Sequence, residues 1–158
     1  MSEAQQSSHL LTVAVISVLM VVTWLISLCR KDAGVIDICW GIGFALIAWA
    51  IFLNAGEPHE DSWLLAILTT VWAVRLSIHL AVRNLGKPEV FRYRAMRERW
   101  GRSFPLASLF IVFGLQGAVM WVVSLPIQIS LAVTAPTSTT FVVVGVALWA
   151  VGMFFETV

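Results

Sequence analysis

A chain of 158 residues that is 59% hydrophobic and only 12% charged is excluded from the soluble domains, which run near about 45–50% apolar and about 25% charged. The mean hydropathy of +0.90 agrees, and the class is a polytopic membrane protein. The net charge of +1 carries little information, because the charges are segregated along the chain and it is their placement that matters.

Residues 1–9 are polar and contain no Lys or Arg. The apolar run 10–29 is about 30 Å long as a helix, enough to cross a bilayer, and Arg30 and Lys31 stop it. Cys29 and Cys39 flank this loop; they have no metal-binding spacing, form no disulfide framework and read as small apolar residues. A second helix is expected over 35–53, where Gly34, Asp37, Gly41, Ala45 and Ala48 form a small or acidic face suited to close helix packing. A third is expected over 63–82. The segment near 89–100 reads as an interfacial helix, with Tyr93, Met96 and Trp100 on one stripe and arginines around them. The fourth membrane helix is expected over 104–125, stopped near Pro126, with Gln116 as a polar bridge between helices. The fifth is expected over 138–158. The fold class is therefore all-α: a five-helix transmembrane bundle in one membrane-embedded domain, 1–158.

The loops give an orientation. Arg30 and Lys31 mark the first loop, and seven basic residues from Arg83 to Arg102 mark the third. The N-terminal tail, the acidic loop of Glu57, His59, Glu60 and Asp61, and the stretch after Pro126 have no Lys or Arg. The positive-inside rule then places the N-terminus outside and loops 30–34 and 83–103 in the cytosol. A basic loop lying against a membrane is not a nucleic-acid surface.

Arg75, His79 and Arg83 recur at i, i+4 and i+8 and share one face of the third helix. Arg75 falls about 18 Å and His79 about 24 Å into that helix. Asp37 and Glu156 are expected at the same depth, in the cytosolic half. Ionisable groups inside a membrane are costly and need partners. Asp37 is expected to pair with Arg75. The group either locks helices together or lines a polar cavity for an anionic or carbonyl ligand, with Asp37, Arg75 and His79 as catalytic candidates. The arginines of 89–102 suit anionic lipid headgroups or cofactor phosphates. Among the tryptophans, Trp40, one turn past Asp37, is the best ligand contact. Nucleotide-loop, dinucleotide, zinc-protease and serine-hydrolase signatures are absent.

The runs IDICWGIGFALIA (36–48), VWAVRLSIHLAVRN (71–84), FRYRAMRERWG (91–101), FGLQGAVMWVVSLP (113–126) and WAVGMFFETV (149–158) resemble the bacterial branch of the steroid 5-alpha-reductase-like family. The resemblance implies a polytopic bacterial inner-membrane reductase that uses NADPH to saturate a C=C bond conjugated to a ketone in a lipid or steroid-like substrate. It implies Arg83, Arg92 and Arg97 at the cofactor phosphates, with Tyr93 among them, and Arg75 and His79 lining the cytosolic cavity. It also implies that the domain continues past Val158, where most of the cofactor site is expected. The ketone-binding Gln-Glu pair of steroid-acting members is not matched, because Asp37 stands in the second helix and the only tyrosine is Tyr93. The carbonyl-protonating residue is therefore unassigned. Two other readings are an isoprenylcysteine-type membrane methyltransferase and a non-enzymatic scaffold or transporter subunit.

Overall fold

In the computed structural model, residues 3–55, 60–132 and 138–157 are described, and no strand occurs among them. Helix α1 spans Glu3–Arg30, α2 Val35–Asn54 and α3 Glu60–Asn84. The short α4, Phe91–Trp100, precedes a 3-10 turn and a broken fourth span. That span comprises α5 (Phe104–Ser108), a π-helical stretch (Leu109–Gly114) and α6 (Leu115–Val123), and the separate helix α7 (Leu125–Ala132) follows it. Helix α8 covers Thr139–Thr157. Five helical segments are long and apolar enough to cross a membrane: 5–30, 35–54, 61–84, 91–123 and 139–156. The chain is an all-α, multi-pass integral membrane protein.

Helix α2 is the centre of the bundle and packs between α1 and α3. Its glycines make this possible. A Cβ on Gly41 would lie 2.5 Å from the Ala73 carbonyl oxygen and 2.7 Å from Ser77 Oγ, so α2 and α3 meet backbone to backbone there. On the other side, a Cβ on Gly43 would lie 2.6 Å from the Met120 thioether and 2.8 Å from Leu19. Between these contacts α2 turns Ile36, Phe44, Ile47 and Ile51 into the core. Thr12 and Thr23 in α1, both buried, satisfy their hydroxyls by donating to the Ser8 and Leu19 carbonyls one turn back, so neither leaves an open donor in the core.

The expected helix boundaries hold within a few residues, with two differences. Polar residues 3–9 join α1, because their backbone bonds extend an already nucleated helix. The fourth span does stop near Pro126, at Val123, but Pro126 is not the residue that breaks it. The break falls at Ser124, and Pro126 sits in the first turn of α7, where no intrahelical amide donor is needed. Helix α7 packs on α1, α2 and α3. It is tied there by buried Gln128, which accepts from His9 at 2.6 Å and donates to Ser124 Oγ at 2.7 Å. The interfacial helix expected near 89–100 is α4. It is set off from the span by Gly101, whose φ of 50° suits glycine. Glu57, His59 and the 133–137 stretch lie outside the described residues.

Helix α8 stands apart, with no described residue of its span buried. It leaves a groove of about 1010 Å³ against α3 and α7, walled by apolar side chains such as Leu65, Leu68, Ile127, Phe141 and Trp149.

Candidate functional site at the basic end of the bundle

The first turn of α2 is held by a short loop. Lys31 adopts φ 53°, and Asp32 Oδ1 accepts the Gly34 amide at 2.8 Å, which turns the chain from α1 into α2. This places Asp37 in the first turn of α2, at the basic end of the bundle, half-buried. Tyr93, from α4, is buried against it and donates its hydroxyl to Asp37 Oδ1 at 3.0 Å. The Gln116 side chain of α6 acts on the same hydroxyl. The charges of Arg92 and Arg83 act on the Asp37 carboxylate. Asp37, Arg92 and Tyr93, singled out from sequence for different reasons, thus meet at one place, and the charge of Arg83 reaches it.

Arg97 plays another part. Its Nε and Nη2 donate to the two Glu89 carboxylate oxygens at 3.0 and 2.9 Å, and its guanidinium lies 4.4 Å from the Phe104 ring centre. Glu89 also accepts the Ala33 amide at 2.8 Å. This clasp joins α4 to the α1–α2 loop and takes up the Nε/Nη2 edge of the guanidinium expected at phosphates. Burial opposes the charge on Glu89. The Arg97 and Ala33 hydrogen bonds and the Arg97 charge outweigh it and hold the carboxyl below its ordinary value.

The expected Asp37–Arg75 pair is replaced by two others. Arg75 pairs with Glu156 of α8, Nη1 to Oε2, at 3.0 Å, and also donates to the Glu156 carbonyl. Trp72 Nε1 donates to the same carboxylate at 3.1 Å. The reason is rotational. Asp37 is drawn to Tyr93 at the basic end of the bundle, while Arg75 lies on the outer side of α3 with Val71, Val74 and Ile78. His79, one turn on, is exposed on that same side, so the three catalytic candidates do not share a cavity. A double-mutant cycle should show this. Arg75→Gln and Glu156→Gln are expected to couple by about 0.5–3 kcal/mol in thermal unfolding. Arg75→Gln and Asp37→Asn should simply add, and coupling in that second pair would contradict the geometry.

A model of the family described as "Protein of unknown function (DUF1295)" matches residues 23–158. The chain belongs to the DUF1295 family. This family falls in the steroid 5-alpha-reductase-like group. No curated protein and no solved structure matches the chain.

The matched region of this DUF1295 chain takes in both polar clusters, and an aromatic ladder links them. Trp40 packs edge-on to Phe44 at 5.1 Å between ring centres, and Phe44 to Trp72 at 5.5 Å. Trp40 begins one turn past Asp37, and Trp72 ends at Glu156. Trp40 Nε1 is buried and unpartnered among the described groups, as is Ser77 Oγ beside Gly41. Sequence reasoning missed Glu89 and Trp72. Glu89 reads as the helix-start acid of a basic segment, and its Ala33 contact is 56 residues away. Trp72 is one of eight tryptophans with no distinguishing neighbour.

Proposed function

We propose that this chain is the membrane-embedded part of an NADPH-dependent reductase that saturates a C=C bond conjugated to a ketone in a lipophilic substrate. The basic end of the bundle faces the cytosol in this reading. The observation that carries it is the Tyr93–Asp37 hydrogen bond, with Arg92 against the Tyr93 ring, at the basic end of an apolar bundle. NADPH supplies a hydride when bound. Arg92 is an exposed guanidinium against the Tyr93 ring and Arg83 an exposed one whose charge reaches Asp37, and both suit the NADPH phosphates. Arg97, committed to Glu89, positions α4 instead.

Saturation needs a hydride at the β-carbon and a proton at the α-carbon, with the charge carried meanwhile on the ketone oxygen. Tyr93 fits the role of donor to that oxygen. With Asp37 charged, the Tyr93 proton points at the carboxylate. With Asp37 protonated, Asp37 donates to Tyr93 Oη, and the tyrosine proton is free to turn to the ketone. Gln116 and the buried ring hold the hydroxyl in place.

NADPH titration of the chain in detergent, at low and at physiological salt, tests the cationic wall. Binding is expected to be weak and to fall steeply with salt, because exposed charges are screened. Arg83→Gln with Arg92→Gln should abolish it, while Arg102→Gln should not. Binding that ignores both arginines would reject the assignment. Saturable binding of S-adenosylmethionine in place of NADPH would favour the methyltransferase reading.

A further inference from the structure

The basic segment divides by geometry into three groups. Arg97 is consumed inside the fold by Glu89, and Arg92 and Arg83 act on Asp37. The remainder points away from the bundle: Lys87, Arg94, Arg99 and Arg102 are all exposed. Acidic groups do little to neutralise them. Glu89 is taken by the clasp, and Glu98 offsets only one charge through a long 3.9 Å contact with Arg94. Phe91 and Trp100, 73% and 45% exposed, stand at the two ends of the same helix. Tyr93 alone in α4 is buried. The three-residue turn Gly101–Ser103 joins this helix to α5, at the start of the apolar part of the fourth span.

We propose that the outer face of α4 and the Gly101–Ser103 turn is a binding surface for anionic phospholipid headgroups, and that their binding holds α4 where Tyr93 meets Asp37. The charge complements such headgroups, and exposed aromatics at both ends of a basic helix suit the water–lipid boundary. The helix has little else to hold it. Ten residues are too few for a stable isolated helix, and its inward contacts are Tyr93, Met96 and the Arg97–Glu89 clasp. Headgroup contacts on the outer face would therefore decide how long α4 stays docked on α2 through Tyr93 and Asp37. This inference does not depend on the reductase reading.

The test is amide hydrogen exchange of residues 89–103 in nanodiscs of phosphatidylcholine alone or with phosphatidylglycerol. Phosphatidylglycerol should slow exchange there on the order of tenfold, and high salt should erase the difference. In the R94Q/R99Q/R102Q variant the two lipid compositions should give the same exchange. If that variant does not fold, the salt dependence of the unaltered chain decides the question alone. Equal exchange in both lipids, or a difference that survives high salt or the three substitutions, would overturn the proposal. So would protection produced by NADPH in phosphatidylcholine discs and not by phosphatidylglycerol.

Discussion

Gly41→Leu is expected to yield no folded protein, and Gly41→Ala a folded protein with a clearly lowered thermal midpoint. The physical reason lies on α3. A Cβ at this position would sit 2.5 Å from the Ala73 carbonyl oxygen and 2.7 Å from Ser77 Oγ, distances that real contacts do not reach. The first of these atoms is backbone, so it cannot rotate away. Relief requires the two helices to separate, and α2–α3 is the most extensive helix pair in the bundle. Overpacking of this kind costs typically about 1–3 kcal/mol for a methyl group and more for a larger side chain. Gly145 in α8 is the control, because a Cβ there meets nothing within 4 Å. Gly145→Ala should leave the midpoint unchanged, or raise it slightly through helix propensity. Thermal unfolding of the three variants in one detergent makes the comparison. A Gly41→Ala midpoint equal to that of Gly145→Ala would show that α2 and α3 are not in backbone contact.

Tyr93→Phe is expected to reduce turnover of a conjugated ketone by about 100-fold or more, the usual scale for losing a positioned proton donor. The ring stays, so its packing against the core is kept and the loss of stability should be small, about 1 kcal/mol. Asp37→Asn separates the two parts of the argument. Asparagine can still accept the Tyr93 hydrogen bond, so the position of α4 is preserved. It cannot take up and return a proton, so turnover should fall while stability stays near that of the parent. Arg97→Gln should show the reverse weighting. It breaks the Glu89 clasp and so costs stability, and it lowers turnover only through looser placement of Tyr93. NADPH consumption against a panel of conjugated cyclic and acyclic ketones, with unfolding followed in parallel, reads both effects. Full turnover by Tyr93→Phe would reduce the Tyr93–Asp37 bond to a structural contact.

By itself the sequence determined the class, the number of membrane helices and the approximate bounds of each. These depend on local quantities: the length of apolar runs and the residues that stop them. The close approach along α2 was also legible, because small residues at helical spacing have few other uses in a membrane helix. Which charges meet was decided by the tertiary structure alone. Asp37 and Arg75 are expected at similar depths, but Gly41, one turn past Asp37, is what lies level with Ala73 and Ser77, and rotation about the helix axis is a second coordinate. The packing of Gly41 on Ala73, and of Gly43 on Met120, sets the rotation of α2 and turns Asp37 to Tyr93. Arg75 is thereby left on the outer side of α3 for Glu156, 81 residues away. The arginines of 89–102 show the same limit. They are alike in composition and spacing, and only the three-dimensional fold tells a clasp from a ligand contact from a lipid-facing charge. A charged group's role depends on the partner within about 4 Å of it, and for Asp37, Glu89 and Arg75 that partner comes from another helix or loop.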